Sequence, residues 1–197
     1  MKLSEQKRLD ILDAAEQLFY THGVEHTSMD NVAKAASVSK RTVYNHFETK
    51  ELLFFAIITR MKTSLETTDV IDYDDSLPIK AQLIHIAEKE CELMSSAPFI
   101  RGAKIAFLQM LQQPDLAKQL SASKVGCQIY LENFLQTACR ANKLKIDDME
   151  LAVSQFVFQL KSHIFYPRLY GFDVPDTAQT AYLVEQTVEL FLARYQS

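Results

Sequence analysis

Apolar positions recur at helical spacing along nearly the whole chain, and no stretch reads as a strand. Ile11, Leu12, Ala15, Leu18 and Phe19 share one stripe, which predicts a helix from about Ser4 to Thr21, ended by Gly23. Ser28 is placed to cap a short second helix that turns Val32, Ala33 and Ala36 inward. Ser39 can cap a third through about Phe47, and Thr49 a fourth from Lys50 to about Thr67. The acidic, polar stretch Asp69–Pro78 reads as a loop. Pro78 and Pro98 suit the first turns of helices, and Pro114 marks a break or another start. Further on, Leu131, Phe134, Leu135 and Ala138 mark a long amphipathic helix, and Asp147-x-x-Glu150 and Asp176-x-x-Gln179 read as capping boxes that open the last two helices.

The fold class is therefore all-α, with roughly nine helices. A three-helix helix-turn-helix head, residues 1–50, precedes a larger helical bundle, residues 51–197. Composition supports this. Only 4 Gly and 5 Pro occur in 197 residues, too few to punctuate a sandwich or barrel. Hydrophobic residues at 48% with charged residues at 23% exclude a disordered chain. The N-terminus lacks the apolar run of a signal peptide, and Leu52–Ile58, the longest apolar stretch, is far short of a span of about 20 residues, so a cytoplasmic protein without a membrane partner is expected. Cys91, Cys127 and Cys139 are too scattered for a metal site or a disulfide framework, and no cofactor is expected.

Charge is unevenly spread. The net charge is −4, yet Lys34–Lys50 carries four basic residues against one acid, Glu48. From Thr63 onward 12 basic residues face 17 acidic ones. A small basic patch thus belongs to an otherwise acidic chain. Within that patch, Thr27–Phe47 has the pattern of two short helices joined by a tight turn. Val32, Ala33, Ala36, Val38, Val43 and Phe47 can pack on the first stripe. The third helix then presents Lys40, Arg41, Thr42, Tyr44, Asn45 and His46, donors suited to phosphates and base edges, with no acid among them.

These residues resemble the TetR/AcrR family of bacterial one-component regulators. The resemblance rests on Ile11-Leu12-x-Ala14-Ala15-x-x-Leu18-Phe19, Gly23, Thr27-Ser28, Val32-Ala33, Val38-Ser39-Lys40-x-Thr42-Val43-Tyr44-x-His46-Phe47 and Thr49-Lys50-Glu51-Leu52. Ser37 stands where that family often has Gly in the turn. The resemblance implies a homodimer on a palindromic double-stranded DNA operator, released by a small-molecule effector. It implies DNA contacts by Lys40, Thr42, Tyr44 and His46, with Ser39 at the start of their helix, and phosphate contacts by Lys50 and by backbone N–H groups at Ser28. Arg41 and Asn45 are candidates for base specificity. From about Phe99 the chain more loosely resembles the AefR-like C-terminal domain, through Pro114-Asp115-Leu116-Ala117, the Asp147–Leu160 helix and Tyr170-Gly171-Phe172-Asp173.

The last two helices carry apolar residues on two faces each. Leu151, Phe158 and Phe165 stand apart from Val153, Phe156, Val157, Leu160 and Ile164; Leu183 and Leu190 stand apart from Val184, Val188, Phe191, Leu192 and Tyr195. Two stripes on one helix call for a second burying partner, which a dimer supplies. Phe107, Met110, Phe134 and Phe156, with Gln159 and His163 as polar contacts, are the expected ligand pocket, for an apolar effector. No catalytic residue is expected, since nucleotide-loop, hydrolase and zincin motifs are missing from the sequence. The rival readings are a helical protein–protein adaptor and a helical-bundle enzyme.

Overall fold

Helix α1 spans Leu3–His22 in the computed structural model, which describes residues 3–65, 70–113, 115 and 126–197. Gly23 closes it at φ +83, donating its N–H to the Phe19 carbonyl at 2.9 Å. Next come α2 (Met29–Ala35), α3 (Lys40–His46) and α4 (Lys50–Leu65). All three expected caps form. Ser28 Oγ accepts from Asn31 N, Ser39 Oγ from Thr42 N and Thr49 Oγ1 from Leu52 N. Ile11, Leu12, Ala15 and Phe19 of α1 are buried with Val32, Ala33, Val43 and Phe47. Leu53, Phe54 and Ile57 of α4 join the same core, as does Ile105 of α6 (Ala97–Gln112). Arg60 of α4 also reaches back to Asp13 and Glu16 of α1, each at 2.6 Å.

The N-terminal compact unit is consequently larger than a head of 50 residues. It runs through Ser64 and takes in α6 from Arg101 onward. The difference is physical: α4 looks in sequence like the start of a second domain, but its apolar residues are buried in the first.

The second unit contains α5 (Ile79–Ser95), a short 3-10 turn at Gly126–Ile129, α7 (Leu131–Arg140), α8 (Met149–Leu160), α9 (Tyr166–Tyr170) and α10 (Thr177–Tyr195). The α7 helix is ten residues long and buries all four of its expected apolar residues. α10 packs on α5 and α8, and Phe156 meets Phe191 edge-on at 5.4 Å. The Tyr195 hydroxyl donates to Gln155 Oε1 at 2.6 Å, and Lys145 N–H donates to the Tyr195 carbonyl at 2.7 Å, tying down the chain end. Among the described residues no strand forms, only a bridge between Leu144 and Gln196. The expected helix end near Thr67, the Pro114 break and the Leu116-Ala117 pair lie outside the described residues.

Two sequence expectations are corrected here. Asp148, not Asp147, caps α8 by accepting the Leu151 N–H at 3.0 Å, so no capping box with Glu150 forms. The capping box of Asp176 and Gln179 does form. Second, Phe165 does not continue the outer stripe of Leu151 and Phe158; it is 3% exposed and packs edge-on against Phe99. The cause is a π-helical turn, Lys161–Phe165, which joins α8 to α9 and is closed by the Tyr166 N–H on the Lys161 carbonyl. A π turn holds one more residue than an α turn, so the side-chain phase slips by one position. Tyr166, half-buried, follows Phe158 on the outer side instead, with Tyr170 exposed beyond it.

A buried carboxylate anchors the 3-10 turn. Glu90 of α5, 4% exposed, accepts the Cys127 N–H at 2.7 Å, and desolvation pushes its carboxyl above the usual carboxylate range. The run Glu88-Lys89-Glu90-Cys91-Glu92 looks solvated, but Glu90 shares the helical spacing of Leu83, Ile86, Ala87 and Met94, which are buried. Gly126 lies directly against it. At φ +65, a Cβ there would sit 2.5 Å from Glu90 Oε2. Gly171 has the same left-handed backbone (φ +77) with no atom within 4 Å of the Cβ position. Both Gly→Ala changes force an L-residue into this region, at about 1–2 kcal/mol, and Gly126→Ala must also displace the carboxylate. Chemical denaturation should therefore show Gly126→Ala to be clearly the more destabilising of the two. Equal losses would mean that Glu90 yields freely.

Candidate nucleic-acid interface

The turn between α2 and α3 is built by the backbone. Val38 N–H reaches the Ala33 carbonyl at 3.0 Å and Ser37 N–H the Lys34 carbonyl at 3.2 Å. Ser37 sits at φ +54, the left-handed geometry expected at the position where glycine is common. With Val43 and Phe47 buried below, α3 turns its other residues outward. Lys40, Arg41, Tyr44 and Asn45 are exposed, while Thr42 and His46 are half-buried. Tyr44, 41% exposed, is not a core residue. Thr42 is partly engaged, its hydroxyl lying 2.8 Å from Ser39 Oγ. His46 lies against Phe47, ring centroids 6.5 Å apart.

One partner was not legible in the sequence. Asp30 of α2 pairs with Lys40 at 2.8 Å, and this bond holds the lysine above its ordinary range. The same ammonium lies 5.9 Å from the Tyr44 ring. The α3 surface carries no acid of its own, but an acid ten positions earlier reaches it from the neighbouring helix. The two groups are exposed, so the pair orders Lys40 and contributes little to stability.

Lys50 belongs to the same surface. Its Nζ donates to the Glu25 carbonyl at 3.3 Å. An open cleft there is lined by Glu25–Met29 and by Tyr44 and Glu48–Lys50. Ser28 and Thr49 place the first turns of α2 and α4 at this cleft. The leading N–H groups of a helix have no partner inside it, and the helix dipole makes that end attractive to anions. The arrangement offers a phosphate backbone N–H groups, an ammonium and hydroxyls, beside a helix that presents Arg41 and Asn45.

Of the six expected pocket residues, two belong to the N-terminal unit and four to the C-terminal unit. Phe107 and Met110 are half-buried in the N-terminal unit. Phe134 and Phe156 are buried in the C-terminal unit, Phe134 edge-on to Tyr73 at 5.6 Å, and Gln159 is half-buried. His163 lies in the π turn and points outward, into an open surface cleft with Pro167, Asp173 and Gln179. Among the described residues no group of His, Cys, Asp and Glu could hold a metal ion, and no helix is long and apolar enough to cross a membrane. Leu151, Phe158, Tyr182 and Leu190 are exposed along α8 and α10 in the single chain.

Comparison with known proteins agrees with this geometry. A family model for bacterial regulatory proteins of the TetR family matches residues 11–57, and one for the C-terminal domain of AefR-like transcriptional repressors matches residues 81–197. The transcriptional regulator AcrR of Shigella flexneri is 32% identical over 91 residues, 43% of this chain and 42% of AcrR, so this match spans less than half of that relative. The crystal structure of a TetR family transcriptional regulator from Pseudomonas syringae is 29% identical and superimposes with a TM-score of 0.81 over 98% of this chain and 99% of that one. The flavonoid-responsive regulator FrrA is 28% identical, with a TM-score of 0.80 over 98% of each chain. A helix-turn-helix match at one end, an AefR-like match over more than half of the chain and near-complete structural coverage agree: the chain belongs to the TetR family of bacterial transcriptional regulators.

Proposed function

We propose that the protein is a one-component transcriptional repressor that binds a palindromic operator as a homodimer and leaves it when a small, largely apolar molecule binds. The observation that carries this reading is α3. Its outer face bears Lys40, Arg41, Tyr44 and Asn45, and Lys50 and the capped starts of α2 and α4 stand beside it. Such a helix reads base edges in the major groove while its neighbours grip the phosphates. Selecting bound duplexes from a random pool and footprinting them tests it: inverted half-sites are expected, and a protected site without two-fold symmetry would refute it.

The contacts divide by chemistry. Lys50 is a phosphate contact, so Lys50→Ala weakens binding to all sequences and flattens the salt dependence by about 0.9 in log–log slope for each lost contact. Arg41 is a base contact, so Arg41→Ala relaxes preference at one position per half-site, at about 1–3 kcal/mol. An unchanged selected motif would move Arg41 to the phosphate class.

The dimer is formed by α8 and α10 through their outer apolar residues. Phe158 is 50% exposed in the single chain, so a charge there does not disturb the fold. Sedimentation should show Phe158→Glu to be monomeric with unchanged helicity and much weaker operator binding. A dimer that survives this change uses another surface.

The effector binds in the C-terminal unit, where Phe134, Phe156 and Gln159 remain its candidate contacts. To release DNA it must bind the DNA-incompetent state more tightly than the competent one. Because FrrA is named as flavonoid-responsive, flavonoids are the first compounds to titrate in a gel shift, beside cationic and carboxylate compounds. Release by apolar compounds and an altered response in Phe134→Trp are expected. Release by anionic compounds alone would exclude an apolar site.

A further inference from the structure

The helix-turn-helix pattern begins at Thr27, and the cations Lys2, Lys7 and Arg8 precede it in the sequence. The structure gives one of them a specific place. The Arg8 guanidinium of α1 lies 5.1 Å from the centroid of the Phe47 ring. Phe47 is the residue that closes α3, with its N–H on the Val43 carbonyl and its ring in the core. We propose that Arg8 is a further DNA contact, a phosphate-binding cation that α1 holds at the C-terminal end of α3; this rests on the reading that α3 enters the major groove.

Three observations support it. The first is charge. Two of the other three arginines of this unit are paired, Arg60 with Asp13 and Glu16 and Arg101, more distantly, with Glu16, and the third, Arg41, stands on the outer face of α3. Lys40 is paired with Asp30. Arg8 makes no ion pair among the described residues and remains exposed. The second is order. A cation over a ring face is positioned without losing its charge, and a guanidinium keeps a rigid fork of N–H groups that matches a phosphate. The platform itself cannot swing away, because Phe47 is buried. The third is dimension. Seven α-helical residues span about 10 Å, and the major groove is about 12 Å wide with phosphates along both edges. A side chain standing at the end of α3 is therefore within reach of the phosphate wall. The bland alternative is that Arg8 only covers Phe47 and stabilises the head.

The two roles separate in salt. Arg8→Gln keeps a side chain over the ring and removes the charge, and Arg8→Lys keeps the charge. Binding of the full-length protein to a duplex selected by the wild type from a random pool would be measured from 50 to 200 mM salt, alongside the melting temperature. Arg8→Gln should lower the log–log slope by about 0.9 per protomer, so that a dimer loses about tenfold less affinity over that range than the wild type. Its preferred bases should not change, because a phosphate contact carries no sequence information. Arg8→Lys should keep most of the slope. A wild-type slope in Arg8→Gln overturns the proposal, and it does so equally if affinity and melting temperature fall together at that unchanged slope. If the wild type itself shows no salt-dependent binding, the DNA reading of α3 fails and this contact fails with it.

Discussion

A helix of seven residues has almost no stability of its own, because nucleating it fixes several residues for very few internal hydrogen bonds. The recognition helix is that short. It exists because Val43 and Phe47 are buried against α1, each contributing about 1.5–3 kcal/mol by the area removed from water, and because Ser39 caps its start. The same burial decides which residues face outward. Once positions 43 and 47 are inside, Arg41, Tyr44 and Asn45 have nowhere to point but away from the core. The chemistry offered to DNA is thus a consequence of packing.

The turn that feeds this helix shows the same dependence. Ser37 occupies a left-handed conformation that glycine would take without strain. Bonds from Ser37 and Val38 to the last turn of α2 hold the strained residue in place, and Val38 packs against the head core. The surrounding interactions over-determine that backbone, so a residue with a Cβ is tolerated where the turn needs one particular geometry.

In the C-terminal unit the corresponding device is the π turn. One added residue rotates everything beyond it, so Phe165 enters the core while His163, Tyr166 and Tyr170 lie toward the outside. Leu151 and Phe158 are left as an exposed apolar face before the turn, and the aromatics beyond it continue on a shifted phase. His163 is lost to any interior site for the same reason.

Much of this was written locally in the sequence. The four N-terminal helices, their caps at Ser28, Ser39 and Thr49, the capping box at Asp176 and the inward stripes depend on neighbours within about one turn, so spacing and residue type determined them. The outward face of α3 followed, because it is what those stripes leave over. What depended on distant residues was not legible. The slip at Lys161–Phe165 leaves no mark in composition, and the helical period itself misplaced Phe165 and His163. Glu90 shares the spacing of the buried residues of α5, but what it meets there, Gly126 and the Cys127 N–H, lies 36 and 37 positions away. Asp30 meets Lys40, the Glu25 carbonyl holds Lys50 and Arg8 reaches Phe47 only because the segments carrying them pack side by side. Periodicity assigns each residue a side of its own helix. Which residue of another helix stands opposite is decided when the helices pack, and only the tertiary structure contains that.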